Sequence, residues 1–573
     1  MTPGGVILTG GPVHPMAVEA AGAVEAVRLD GRRITHVGSL AEARCMGDAD
    51  LVDLDGGCLM PGFVDAHTHP LMHGQCRSWA DLSMASSVDE VVKLLGEHAR
   101  TDGRPGPIRG FGYDHHRLAE GRHPTAAELD RVADDRTVTV MHVSGHGFSV
   151  NTHGLAAAGI TVDTETPTGG LIDRDTAGRP TGRVFDAACD LLTGVDGVKV
   201  GSHGPNLHVP DHPDDLARML DVAQEEFLAA GITSVGDCQV TEREMRTFLA
   251  ARDDGRLQLR VTMYVLSSHV DALRRLGLDS RLGADLLAFG GVKHYADGAL
   301  TGGTAYLPCG CGATHGYLYH QAGRLEDLLA ASAATGLQTA THAQGPDAIQ
   351  LVLDALDRLP PRPGLRHRIE HCGFPTDDQL AAMRRLGVVP VPQPTQVHLF
   401  GEGVRRDHPD LADRMYPSGL MADAGLPVVL SSDAPVTTPD VPMACWAAET
   451  RTTSAGRVLG EACRITRRQA FEGYTRGGAH ALRRDDVGSL SAGRLADLAI
   501  LDADPFEVAT DRLPDVSVIG TWVNGRPAWT DDAGLVQPEG RPVRSGGPPP
   551  PSVGGSAGRW PGSGAAGRQW AKP

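Results

Sequence analysis

Along the middle of this 573-residue chain, short apolar β-type runs alternate with longer stretches of helical period. TSVGDC precedes TEREMRTFLAARDDG, and GVKHYADG precedes a loop and LEDLLAASAATG. TATHAQG precedes PDAIQLVLDALDRL, and RIEHC precedes TDDQLAAMRRLG. Strand then helix, repeated, is the pattern of a parallel sheet. Eight strands can be nominated, at 62–67, 232–238, 258–265, 289–295, 337–342, 367–371, 387–393 and 427–433. Eight strands close a barrel, so the pattern predicts an α/β protein with a (β/α)8 TIM-like barrel.

Both ends of the chain read differently. Residues 5–60 alternate in short strands, with Asp30-Gly31 as a hairpin signal. Strand-like runs return at 488–504 and 516–529, with Asn524-Gly525 as a second signal. Edge strands need partners, so the two ends are expected to pair into one small β-sandwich. The expected boundaries are 1–60 and 481–530 for the two halves of the sandwich and 61–480 for the barrel. A large insertion, about 75–230, follows the first barrel strand and holds GFGYDHH, SGHGFSVNT and a Gly-rich passage. A loop of that length is usually functional, which suggests a cover over substrate. The Pro/Gly-rich segment 531–573 cannot bury enough apolar surface to order itself.

The apolar runs of the barrel share one feature. Each ends in a polar residue able to bind a metal: His67 and His69 in FVDAHTHP, Lys293 in GGVKHYADG, His342 in TATHAQG, His371 in RIEHC and Asp433 in VVLSSDAP. Carboxyl ends of barrel strands are where barrel enzymes keep their chemistry. Singly, a strand-end histidine is more often a packing residue, a lysine a surface charge, and an aspartate before Ala-Pro a turn or cap. Together, on consecutive strands, they predict a centre for two divalent cations. Four imidazoles offer no bridging anion. Lys293, its ammonium disfavoured by nearby positive charge, could supply one by taking up CO2 as a carbamate. Water activated by the metals would attack a carbonyl carbon, and Asp433, both ligand and proton shuttle, would pass the proton to a departing amine. The expected result is hydrolysis of an amide-like C–N bond.

The motifs PGFVDAHTHP, GGVKHYADG, RIEHC, SSDAPV and GSLSAGRLADLAILDADP resemble the amidohydrolase superfamily, specifically its amidohydrolase 3 branch. That branch contains N-substituted formamide deformylases and related N-acyl amide hydrolases. The resemblance covers roughly residues 5–530. It implies the barrel, the split sandwich, a usually zinc centre on the residues named above and a precedent for carboxylation of Lys293. The implied reaction is hydrolysis of a small N-acyl or N-formyl amine. The alternatives are a cyclic amide or carbamate hydrolase on the same centre, and a non-catalytic binding protein on the same scaffold. HAQGPDA (342–348) departs from the Gly-Asp pair that relatives tend to have after this histidine.

Weaker candidates for contacting substrate are His146, at a position that resembles one facing the active site, Asp297, which could orient the Lys293 loop or cap a turn, and Tyr113 and Phe111, as pocket walls. His115, His116 and His142 read as structural or exposed. Ser431 and Ser432 lack the setting of a serine nucleophile.

Composition narrows the picture. A formal charge of −18 argues against nucleic acid and anionic membranes as partners. Ten dispersed cysteines suit a reduced cytoplasmic protein, and Cys309-Gly-Cys311 lacks the spacing of a zinc knuckle. The first residues have no basic, apolar leader pattern, and no 18-residue apolar run exists, so neither a signal peptide nor a span is expected. A homodimer is compatible with a barrel of this size, although no surface stripe points to one.

Overall fold

A computed structural model describes residues 5–17, 22–194, 197–206, 208, 211, 213–278, 283–308, 314–320 and 323–531. Cys309, Cys311 and the Pro/Gly-rich segment from 532 lie outside the described residues.

Seven parallel strands form the central sheet: β1 (Phe63–Thr68), β2 (Ile232–Val240), β3 (Arg260–Leu266), β4 (Leu287–Tyr295), β5 (Gln338–Ala343), β6 (Arg368–His371) and β7 (Val389–Val391). Each pairs with the next in chain order, which makes a nearly closed barrel. Four of the intervening helices are those the periodicity predicts, and Val270–Leu276, between β3 and β4, is an addition to them. Helix Asp377–Leu386 starts at a Thr376/Gln379 capping box and stops at Gly387, whose φ of 68° suits a residue without Cβ.

The expected eighth strand, 427–433, is not one. That segment closes the gap between β7 and β1 without a backbone ladder to β7. The reason lies in V-P-V-P: Val389 N–H donates to the carbonyl of His367, just before β6, so the alternate positions, Pro390 and Pro392, face the eighth segment and have no N–H to give. Side chains replace the missing ladder. Gln393 Nε2 donates to Ser431 Oγ (3.0 Å), while on the other side Asp433 N–H donates to His67 O (2.9 Å) and Ser432 N–H to Asp65 Oδ1 (3.0 Å).

The two chain ends do pair. Leu498–Leu501 runs antiparallel to Cys58–Pro61 within one eight-stranded sheet that encloses its own core of Leu8, Val27, Leu29, Ile34, Leu498 and Ile500. Both hairpin signals hold, and Asn524 and Gly525 have φ of 56° and 70°, as a type I′ turn requires. Buried Arg260, at the start of β3, ties this sheet to the barrel by donating to Asp497, which also accepts Asn524 N–H at 2.8 Å.

Between β1 and β2 the chain builds a six-stranded sheet. Its order is Gly170–Arg174, Pro180–Asp186, Gly147–Val150, Val138–His142, Ile108–Tyr113 and Ala80–Asp81. Helices Pro70–Arg77 and Pro213–Ala229 lie on either side of it in sequence.

Candidate metal centre

The carboxyl ends of the barrel strands bring His67, His69, His342, His371, Lys293 and Asp433 into one buried region. Ring centroids are 5.4 Å apart for His67 and His69, 4.9 Å for His67 and His371 and 4.4 Å for His342 and His371. Asp433 Oδ1 is 3.6 Å from His67 Nε2 and 3.4 Å from His69 Nε2, and its Oδ2 is 3.9 Å from His371 Nδ1. Nitrogen and carboxylate atoms of His67, His69 and Asp433 all lie within 4.8 Å of one another, a set that could hold a metal ion.

Three of the four rings are anchored through one nitrogen, which leaves the other for the pocket. His67 Nδ1 is 2.5 Å from Glu370 Oε2, His371 Nδ1 is 2.8 Å from Gln393 Oε1, and His342 Nε2 donates to Gly298 O at 3.0 Å. Such outer partners fix tautomer and orientation. Burial, reinforced by neighbouring cationic groups, holds His67, His342 and His371 far below the ordinary imidazole value, in the neutral form that metals bind. His69 departs the other way. Burial lowers it, but the Asp237 and Asp433 carboxylates outweigh burial and raise it.

Lys293 decides what the region can do. Its Nζ is fully buried, has no hydrogen-bond partner, and lies 4.6 Å from the Tyr295 ring centroid. Burial lowers its pKa below the ordinary 10.5 against the raising effect of Cys238, Glu370 and Asp433. A buried amine with no hydrogen-bond partner, beside imidazoles and a carboxylate, calls for a partner of its own, and a metal-bound group could supply it.

Backbone strain accompanies the chemistry. His371 and Asp433 have φ of 65° and 61°, where a side chain costs on the order of 1–3 kcal/mol. Asp297 accepts the N–H groups of Gln344 (2.9 Å), Gly345 (3.0 Å) and Tyr306 (3.1 Å), so it pins the turn after β5 and lies 3.7 Å from His342 Nε2.

His146 reaches the centre from the insertion: its ring is 5.4 Å from that of His342, and its Nδ1 is 2.6 Å from Asp186 Oδ1. Asp186 itself sits at φ 53° and also accepts from Tyr317 and Tyr319. Phe111 lines a narrow cavity beside the segment following Asp433, with His73, Trp79, Pro435 and Thr437. Tyr113 does not line it; its hydroxyl is turned to His123 (2.9 Å) and Ser149 (3.3 Å) inside the insertion.

Sequence reasoning missed Glu370, Gln393 and Asp237. Glu370 lies in RIEHC beside the nominated His371, and Asp237 ends a nominated strand as the ligand candidates do. Gln393 carries no such mark.

The amidohydrolase family model matches residues 50–528. An N-substituted formamide deformylase of Arthrobacter pascens is 30% identical over 521 residues, covering 87% of this chain and 94% of that protein. The crystal structure of an uncharacterized metal-dependent hydrolase from Pyrococcus horikoshii superposes with a TM-score of 0.71 at 25% identity, covering 88% of this chain and 99% of that one. A second such hydrolase, from Pyrococcus furiosus, gives 0.68 at 25% identity, covering 88% of this chain and 100% of that one. The family and the solved neighbours make this a metal-dependent hydrolase acting on C–N bonds. The chain belongs to the amidohydrolase family.

Proposed function

We propose that the protein hydrolyses a small N-acyl or N-formyl amine at a centre for two divalent cations, zinc by preference. His67, His69, His342, His371, Lys293 as its carbamate, and Asp433 would hold them. The observation that carries this reading is the partnerless Nζ of Lys293, buried at the same strand ends as four imidazoles. When bound, the cations supply a Lewis acid and a water whose pKa is lowered towards about 7.

The chain's own groups do the rest. Asp433, held in position by Gln396 Nε2, which donates to its Oδ2 at 3.2 Å, would accept the proton of the attacking water and hand it to the departing amine. His146, whose Nδ1–H is held by Asp186, faces the centre from the insertion and in its doubly protonated form can donate Nε2–H to the oxygen that gains charge. The insertion thereby acts as a cover that excludes bulk water. The name of the Arthrobacter pascens relative supports the formyl group as the first acyl group to test. Eight described cysteines, all free thiols, support a reducing compartment such as the cytoplasm. Among the described residues, no helix is long and apolar enough to cross a membrane.

A panel of linear N-formyl and N-acyl amines, set against cyclic ureides and carbamates, tests the reading. Turnover of linear substrates, abolished by a chelator and restored by zinc, is expected. Turnover of cyclic substrates alone would overturn the substrate assignment.

A further inference from the structure

The insertion contains a second convergence of imidazoles. The strand Ile108–Tyr113 leads into a loop that carries His115 and His123, and His142 ends the neighbouring strand Val138–His142. One ring nitrogen from each of the three lies within 4.8 Å of the other two. His115 Nδ1 and His142 Nε2 are 3.1 Å apart, and the His115 and His123 rings stack at 4.1 Å.

We propose that His115, His123 and His142 bind one divalent transition-metal ion of the zinc type, at a site separate from the barrel centre. A single hydrogen bond between neutral rings would account for His115 and His142. It leaves unexplained why a third imidazole brings a nitrogen to the same point. Two nitrogens each about 2.0–2.1 Å from a tetrahedral zinc are roughly 3.3 Å apart, close to the His115–His142 separation.

The outer nitrogens are also engaged: His123 Nδ1 lies 2.9 Å from Tyr113 OH, and His142 Nδ1 lies 2.9 Å from Ser144 Oγ and accepts the Ser144 N–H at 3.2 Å, so metal binding at His142 Nε2 would shift that ring's proton to Nδ1, where Ser144 Oγ accepts it. Asp114 Oδ1, 3.9 Å from His115 Nδ1, can approach as a fourth donor. Burial keeps all three rings neutral, with His115 pushed down to about 3 and His123 to about 2. His115 is the least buried of the three and offers an entry path. The site would brace the active-site cover, because Ser144 Oγ also accepts the N–H of His146 at 3.2 Å. It depends on none of the ligands assigned at the barrel.

The test uses the full chain equilibrated with zinc alone. A His115→Asn/His142→Asn variant should hold one equivalent fewer than the unmodified protein and lose the zinc-dependent part of its thermal stability. Equal zinc content in the two proteins would overturn the proposal. Should that variant not fold, a zinc-edge anomalous map from crystals of the unmodified chain decides. A peak among the three rings supports the site, and none at saturating zinc overturns it. A peak here with none at the barrel would count against the proposed catalytic centre only.

Discussion

His67 Nδ1 lies 2.5 Å from Glu370 Oε2, and Glu370 is itself gripped by Arg368, whose Nε and Nη2 donate to its two oxygens at 2.7 Å each. All three side chains are buried, and Arg368 rests on the Tyr264 ring. The carboxylate therefore does two jobs: it compensates a buried guanidinium and directs the other nitrogen of His67 to the pocket. Glu370→Gln should cost about 3–5 kcal/mol of stability by leaving Arg368 uncompensated. It should also weaken zinc binding roughly 10–100-fold. Urea unfolding and chelator competition measure the two effects.

Asp433→Asn should keep much of the bound metal, since the histidines remain. It should lower kcat on the order of 10²–10⁴-fold, the usual worth of a positioned proton carrier. Metal content and steady-state rates of the same preparation check this; undiminished turnover would remove Asp433 from proton transfer.

His146→Ala should leave the metal content unchanged and lower kcat/KM by about 10²-fold, as expected for loss of one aimed donor. Asp186→Asn should give a smaller loss in the same direction, because it loosens the His146 ring without deleting it.

Lys293 sets a pH dependence. Its folded pKa lies below 10.5, so between the two values the unfolded chain binds the additional proton. Stability of the metal-free protein should therefore rise with pH through that window, with the full penalty present below it. Lys293→Met should flatten the trend when urea unfolding is followed as pH rises towards 10.5 in CO2-free buffer.

The sequence was most legible where residue type and strand period coincide. A histidine, lysine or aspartate closing an apolar run is visible without a structure, and all six nominated ligands do converge. Arg368 and Glu370 lie two apart on one strand and so share a face. The spacing was readable, but not that the face meets His67, some 300 residues away in the chain. Gln393 was invisible because an amide at a strand end has no chemistry that singles it out. The eighth strand failed for a different reason. Hydropathy reports that 427–433 is apolar, whereas pairing needs donors on the neighbour, and Pro390 and Pro392 remove them. Phe111 and Tyr113 share the apolar character of one strand. Only the packing reveals that one faces a cavity and the other faces His123.

Native mass spectrometry of the full chain counts bound cations and registers CO2 on a lysine in one spectrum. Zinc-loaded protein is expected to lose two ions when His67 and His371 are replaced by asparagine. The mass of one CO2 should be present and should vanish in Lys293→Ala. An unchanged metal count in the His67→Asn/His371→Asn protein would contradict the placing of the metals at the barrel mouth.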